Sequence, residues 1–372
     1  MDSNDKTKIN IQKREKYMKS QYLKNAKDVI LKSEECTLPL YIQLETTTHC
    51  NLRCKMCVRN ETIKNPKHLS FEKFKYIFDQ TGASKVTLSG LGEPLLNPEL
   101  PEILSYLTKQ NVTSMIPSNG TMLSNEKIAE SLIDSGLNIL KISIDAASKD
   151  TYLKIRGQDK FDTIIDGLKK LKQIKIDKNT IFPEIRLDVV ILKENVFEIP
   201  EVINLAKDLN INTVFFRALQ TQGLEDDRKK VLGKNIDFDI LLLKLNQAVS
   251  VANKLKIKTN LKEIVSNFSS YKSIYVSLDS SLQNKVCLLP YFQCFISIDG
   301  EVSPCCALFC NEKVSIGNVF ENRFIDIWNG QKMQNIRRCF AAKENNFAVC
   351  KDCVPRSLSV LLKMNSMLPR FL

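Results

Sequence analysis

Histidine is nearly absent: the 372 residues contain two, His49 and His68. A zinc centre built on imidazoles has almost nothing to draw on, since structural zinc takes four nitrogen or sulfur ligands. No apolar run reaches the roughly 20 residues that a membrane-crossing helix needs. The N-terminal stretch MDSNDKTKINIQKREK lacks the apolar segment of an export signal. The formal net charge is +12, yet no block of five or six like charges occurs. Lysine is spread along the whole chain. That reads as solvated helix faces, and leaves open a groove for an acidic or phosphorylated substrate. No basic patch interleaved with aromatics is present, so nucleic acid is not an expected partner. These absences predict a cytoplasmic protein without a membrane segment.

Cysteine is plentiful by contrast. Twelve cysteines cluster mainly at 50–57 and 287–353. Without an export signal, reduced thiols holding metal fit that usage better than disulfides. A 43% hydrophobic fraction is ample for one large domain or two ordinary ones.

Residues 45–60, ETTTHCNLRCKMCVRN, follow the apolar run LYIQLE and carry Cys50, Cys54 and Cys57 at C-x3-C-x2-C spacing. Soft thiolates select iron–sulfur clusters, zinc or copper(I). Zinc would want a fourth ligand, and only His49 or the distant His68 could supply a histidine. A 4Fe–4S cluster can take three cysteines and leave one iron open. Three buried cysteines packing as small apolar residues is the plain alternative.

From 40 to 220, strand-like runs alternate with helical periodicity. The expected strands are Leu40–Glu45, Lys85–Ser89, Thr113–Pro117, Leu140–Asp145, Ile185–Leu192 and Thr213–Leu219. Helices are expected after Ser70, after Asn97 with Pro98 in the first turn, after Ser124, over Lys160–Ile176 and over Ile199–Leu209. Six β/α units imply a parallel sheet with ligands at its C-terminal strand ends. There lie the cysteine loop, Gly90-Leu91-Gly92-Glu93-Pro94, Ser118-Asn119-Gly120, Ser143 and Asp145, Leu192, and Phe216-Arg217. Residues 1–36, with nine basic and six acidic side chains, read as one helix or a loosely attached extension.

Cys287, Cys305, Cys350 and Cys353 are separated by 17, 44 and 2 residues. Between the first two, alternating residues flank Asp299-Gly300, a hairpin signal. A helix, FIDIWNGQKMQNIRRCF, follows. The expected divisions are 1–36, 37–220, a bridging segment 221–286 with one helix, and 287–372 ending in an amphipathic helix. Zinc on the same four cysteines is the structural alternative. Cys36, Cys294, Cys306, Cys310 and Cys339 are left over. Four of them, Cys294, Cys306, Cys310 and Cys339, could hold a further cluster, and otherwise they are core filler.

Residues 40–220 resemble the core of the radical S-adenosylmethionine (SAM) superfamily, a partial (β/α)6 barrel. The C-terminal cysteine pattern resembles the SPASM/twitch module, a β-hairpin plus helix holding an auxiliary 4Fe–4S cluster. The resemblance implies that Cys50, Cys54 and Cys57 bind three irons of a 4Fe–4S cluster and SAM the fourth. It implies that Gly90, Gly92, Glu93 and Pro94 meet the methionine amino group. Ser118 and Asn119 would face the ribose or methionine moiety, Ser143 and Arg156 the carboxylate and sulfonium, and Leu192 the adenine. The residue before the third cysteine is usually aromatic in this family, and here it is Met56, whose thioether can cover a purine face. Cys287, Cys305, Cys350 and Cys353 would hold the auxiliary cluster.

The implied activity is reductive cleavage of SAM to a 5′-deoxyadenosyl radical, which takes a hydrogen atom from substrate. Oxidation follows, the auxiliary cluster accepting an electron, as in twitch-type dehydrogenases. Arg217 is the candidate catalytic residue on the substrate side. The substrate is a small polar metabolite or a peptide, and a flavodoxin or ferredoxin supplies electrons. Alternatives are a peptide maturase forming thioether or carbon–carbon crosslinks, a redox-neutral epimerase, and a non-catalytic electron-transfer protein.

Overall fold

Short apolar runs become strands and segments of 3.6-residue period become helices, as their patterns dictate. The computed structural model describes residues 18–219, 236–269, 271–272, 287–342, 344 and 347–351. In chain order these form α1 (18–30), β1 (Tyr41–Leu44), α2 (Phe71–Asp79), β2 (Lys85–Leu88), α3 (Leu100–Lys109), β3 (Thr113–Ser118), α4 (Glu126–Asp134) and β4 (Ile139–Ser143). Next come α5 (Lys149–Arg156), α6 (Phe161–Asp177), β5 (Glu184–Ile191), α7 (Ile199–Asp208), β6 (Thr213–Ala218), α8 (Phe238–Leu255) and β7 (Lys258–Thr259). The C-terminal part adds β8 (Gln293–Ile296), β9 (Glu301–Ser303), α9 (Cys306–Glu312), β10 (Gly317–Asn318), α10 (Phe324–Trp328) and α11 (Gln331–Ala342).

The chain divides into two compact units. One comprises Met1–Thr48, Lys67–Met115 and Ser280–Leu372, the other His49–Pro66 and Ile116–Asp279. In the first the strand order is β10-β9-β8-β1-β2-β3. β1 lies parallel to β2 on one side and to β8 on the other, Ile42 facing both Val86 and Cys294. Ile42, Leu44, Val86, Leu88, Cys294 and Ile296 are all fully buried, as strands covered on both faces require. β8 and β9 form the antiparallel hairpin expected around Asp299-Gly300, with Gly300 at φ +82°. Cys294 is therefore a core residue of β8, which suits its filler role.

Helix α1 packs Met18, Tyr22, Ala26 and Val29 against Leu40, Leu288, Tyr291 and Phe292. Residues 18–30 are thus a docked helix and not a loose extension. Each large apolar side chain so buried contributes roughly 1.5–3 kcal/mol. The single helix expected over 324–340 is two, α10 and α11, separated at Asn329-Gly330. Asn329 has turned to other work there, accepting from the Cys36 N–H at 2.8 Å and donating to its carbonyl at 3.0 Å.

In the second unit β4, β5, β6 and β7 follow one another in parallel. The strands fall within two residues of their expected places. β7 was not anticipated. Two helix starts differ from expectation. α3 begins at Leu100 with Pro101 in its first turn, while the buried Asn97 accepts from the Glu99 N–H at 2.9 Å and donates its side-chain amide to the Thr46 and Leu69 carbonyls at 2.9 and 3.0 Å. α4 is capped by Asn125, which accepts from the Lys127 N–H at 3.1 Å, and not by Ser124. Ser70 caps α2 as read, accepting from the Lys73 N–H. Residues 220–235 and 273–286, Cys353 and the stretch expected to form a C-terminal helix lie outside the described residues.

In α11 the guanidinium of Arg337, 1% exposed, ties the first unit together. It donates to the Glu34 carbonyl at 2.7 Å and the buried Pro290 carbonyl at 3.1 Å, and stacks 4.5 Å from the Trp328 ring centre. Removing it leaves the buried Pro290 acceptor unpaired, which costs about 1–3 kcal/mol. Arg337→Met is expected to lower unfolding stability by about 1–3 kcal/mol on that ground. A urea midpoint equal to wild type would show that the guanidinium carries no such load.

Candidate functional site

In the first unit the sequence turns on Glu45, the residue after β1. Its Oε1 accepts from the Leu91 N–H at 2.8 Å and its Oε2 from the Ile298 N–H at 3.3 Å. One carboxylate therefore fastens the glycine turn after β2 and the hairpin between β8 and β9. Burial pushes the Glu45 pKa up, and the two N–H groups oppose that rise. A Cβ on Gly90 would overlap the Glu45 carboxylate, so glycine is required for this approach. Glu93 is buried and its carboxylate caps the turn Pro94–Leu96 through the Leu95 N–H at 3.1 Å. Sequence reading missed Glu45. Its signal was an ionisable residue ending an apolar run at a strand terminus.

In the second unit the cysteine loop leads on from residue 49. Cys54 is buried, Cys50 and Cys57 are half-buried, and none of the three is in a disulfide. Helix α5 meets the loop with two adjacent residues. The Ile155 carbonyl accepts from the Lys55 N–H at 3.4 Å, and the Ile155 side chain clusters with Leu192, Leu219, Val190 and Met56. Next to it, Arg156 directs Nη1 to Cys54 Sγ at 3.5 Å and Nη2 to the Ser143 carbonyl at 3.1 Å. Its guanidinium pairs with Asp145 at 2.5 Å, side chains 10% and 1% exposed. Met56, Ser143, Arg156 and Leu192 are thereby brought together about Cys54. Gly157 ends α5 in the left-handed region at φ +75°, its amide bonded back to Leu153.

Asp145 sits just past β4 at φ +55°. Its Oδ1 accepts from the Val190 N–H at 2.7 Å, and its own carbonyl accepts from Asn195 at 2.7 Å. Burial pushes its pKa up against the pull of Arg156. Burial likewise pushes the Cys57 thiol up, a rise that Arg156 and Arg59 oppose. Arg156 Nε is buried without a hydrogen-bond partner.

Ser118 and Asn119 shape the turn after β3. Ser118 Oγ accepts from the Gly120 N–H at 2.9 Å. Asn119 accepts from the Thr121 N–H and hydroxyl at 2.9 and 2.7 Å and donates to Asn51 of the cysteine loop at 2.9 Å. Asn51 in turn donates to Thr121 at 2.8 Å, closing a ring of side chains. Asn51 was not foreseen, since a loop asparagine carries no pattern of its own. Arg217, at the end of β6, bonds Asp188 at 2.7 Å and is 45% exposed.

The donors suit the implied group. Three cysteines outside any disulfide stand in one loop, with a buried cation against one of them and a buried N–H of that cation unspent. Among the described residues no three His, Cys, Asp or Glu converge on a single ion. A cubane spreads its cysteines over different irons, so convergence on one point is not what it requires. In the first unit Cys287, Cys305 and Cys350 are half-buried and in no disulfide. Cys305 also caps α9, accepting from the Leu308 N–H at 3.5 Å.

Removing one partner of a buried ion pair costs about 3–5 kcal/mol, because the other charge is stranded. Asp145→Asn is therefore expected to destabilise the protein by about 3 kcal/mol, and Asp145→Asn with Arg156→Met by clearly less. Urea unfolding of these two variants and of Arg156→Met alone checks this, and strict additivity would refute the pairing.

Residues 44–206 match the radical SAM superfamily and residues 287–354 an iron–sulfur cluster-binding (SPASM) domain. The chain is 26% identical over 344 residues to the tungsten-containing aldehyde ferredoxin oxidoreductase cofactor-modifying protein of Pyrococcus furiosus, covering 87% of this chain and 89% of that one. It is 29% identical over 313 residues to the AdoMet-dependent heme synthase of Methanosarcina barkeri, covering 80% and 85%. In fold it is similar to Streptococcus suis SuiB bound to S-adenosylmethionine, with a TM-score of 0.64 and 17% identity over 90% of this chain and 76% of that one. With a parallel sheet of β/α units and a C-terminal cysteine module in hand, the chain belongs to the radical SAM superfamily as a SPASM-containing enzyme whose cofactors are SAM and 4Fe–4S clusters.

Proposed function

We propose that this enzyme oxidises its substrate by dehydrogenation. Cys50, Cys54 and Cys57 hold the SAM-binding cluster, and Cys287, Cys305, Cys350 and Cys353 the auxiliary one. The observation that carries the first assignment is the meeting of α5 with the cysteine loop. Arg156 sets a permanent positive charge against Cys54, which favours the thiolate that iron binding needs. When bound, SAM and its reduced cluster supply a 5′-deoxyadenosyl radical able to take a hydrogen atom from substrate.

The chain's own residues position and shield. Met56 and Leu192, packed together with Ile155, offer an apolar surface for the adenine. Ser118 and Asn119, stiffened by the Asn51–Thr121 ring, hold the ribose or methionine portion. Ser143 and Arg156 serve the carboxylate and sulfonium end, and the buried unspent Nε of Arg156 supports that role. Gly90, Gly92, Glu93 and Pro94 take the methionine amino group, the turn being held rigid by Glu45. Arg217 acts on the substrate side.

For the net reaction, a cluster held by Cys287, Cys305, Cys350 and Cys353 would supply an acceptor for the one electron that a substrate radical gives up on losing a proton, so that an alcohol or related polar group would be oxidised. A cluster with four cysteines has no open iron and suits electron transfer. The substrate is a small polar metabolite or a peptide, and a flavodoxin or ferredoxin is the reductant. The core at 37–220 carries the hydrogen abstraction and the module at 287–372 the electron acceptor, with 1–36 as N-terminal extension and 221–286 as bridge. No described helix is long and apolar enough to cross a membrane, which agrees with a cytoplasmic site of action.

Anaerobic reconstitution is expected to give roughly eight irons per chain for two 4Fe–4S clusters. The Cys50→Ala, Cys54→Ala, Cys57→Ala triple variant should hold roughly four. With dithionite and SAM, wild type should form 5′-deoxyadenosine and the triple variant none. If a turned-over substrate yields 5′-deoxyadenosine without an oxidised product, dehydrogenation is wrong.

A further inference from the structure

β4, β5 and β6 stand side by side in the second unit, and their pairing puts Lys141, Ser143, Arg186, Asp188, Phe215 and Arg217 on one face. The other face is apolar: Leu187, Val189, Ile191, Val214 and Phe216 are each at most 1% exposed. The polar face carries three cations, Lys141, Arg186 and Arg217, and two carboxylates, Glu184 and Asp188, a surplus of +1 (3 − 2). Asp188 is 8% exposed. Arg186 already satisfies it through both oxygens, Nε to Oδ1 at 2.5 Å and Nη2 to Oδ2 at 2.8 Å. Arg217 is therefore not needed to neutralise Asp188.

Arg217 is instead held in place. It touches Asp188 Oδ2 through Nη2 alone, at 2.7 Å, and lies 5.3 Å from the Phe215 ring centre, which Arg186 also approaches at 4.8 Å. Among the described residues its Nε and Nη1 have no partner. Its strand neighbour is Val190, which packs against the Met56 and Leu192 cluster beside the cysteine loop. A fixed, partly exposed guanidinium at a strand C-terminus is thus presented next to the surface assigned to the adenine.

We propose that Arg217 binds a carboxylate of the substrate, so that the enzyme acts on a carboxylate-bearing molecule. This rests on the reading that the core at 37–220 carries the hydrogen abstraction. A carboxylate matches one planar guanidinium edge with two parallel hydrogen bonds. Phosphate sites commonly add a nest of backbone N–H groups or a helix N-terminus, and among the described residues neither is seen bonded to Arg217. The carboxylate belongs either to a small acid or to an acidic side chain of a peptide.

The test is phenylglyoxal labelling of the reconstituted full-length enzyme, with arginines mapped by peptide mass spectrometry. The probes are glycolate for the small acid and N-acetyl-aspartate amide for the peptide side chain. N-acetyl-asparagine amide is the neutral isostere, and inorganic phosphate the competing anion. At ten times its own dissociation constant, a bound carboxylate should slow Arg217 labelling about tenfold by mass action. Arg323, 78% exposed, should label at an unchanged rate. Protection by either carboxylate supports the proposal, and the stronger of the two identifies the source. Equal protection by the asparagine amide, stronger protection by phosphate, or none from either carboxylate at its solubility limit overturns it. Formation of 5′-deoxyadenosine from SAM and dithionite needs no substrate carboxylate, so that assay fails or succeeds independently.

Discussion

One buried carboxylate sets the frame of the first unit. Glu45 follows the central strand β1 and hydrogen-bonds the amides of Leu91 and Ile298, which belong to segments separated by some two hundred residues. A charged group is costly to bury, and two N–H donors are what make it tolerable. The absence of a side chain at Gly90 is the matching half of this contact. The glycine turn and the C-terminal hairpin are thus fixed to the same residue, at the point where the chain runs on to the cysteine loop. β1 reinforces the arrangement by pairing with both β2 and β8.

In the second unit the economy is similar. Two consecutive residues of one helix end, Ile155 and Arg156, serve chemically opposite needs. Ile155 joins the apolar cluster with Met56 and Leu192, and Arg156 meets Cys54, Ser143 and Asp145. Neighbouring positions in a helix point in directions about a quarter-turn apart, which is how one helix end can present oil and charge to the same loop. The exchange of the usual aromatic for Met56 fits here. A flexible thioether fills the irregular space between Ile155 and Leu192 that a flat ring would have to match in shape.

Much of this was readable in the sequence, for identifiable reasons. Local signals spoke clearly. Cys50, Cys54 and Cys57 announced themselves by spacing, the turn at Asp299-Gly300 by its residue types, and Ser70 as a cap by its place before an apolar period. Ser143, Arg156, Leu192 and Met56 were named through family resemblance, and they do lie together around Cys54. Non-local pairing was silent. Nothing in Gln293–Ile296 tells that it lies parallel to β1, and nothing around Asn329 tells that its side chain serves Cys36 and so interrupts a helix. Asn97 looked like a cap because asparagine often is one, but tertiary contacts claimed its amide. Glu45 and Asn51 are single polar residues whose meaning comes wholly from partners far along the chain.

Asp145 shows how narrow a choice such a place can leave. Its backbone lies where only glycine, asparagine and aspartate rest with little strain. Its carboxylate must also reach a buried guanidinium. Glycine and asparagine meet the first demand and not the second, and glutamate meets the second and not the first. Two unrelated requirements intersect in a single amino acid, so this site has no neutral neighbour in sequence space through which the chain could drift.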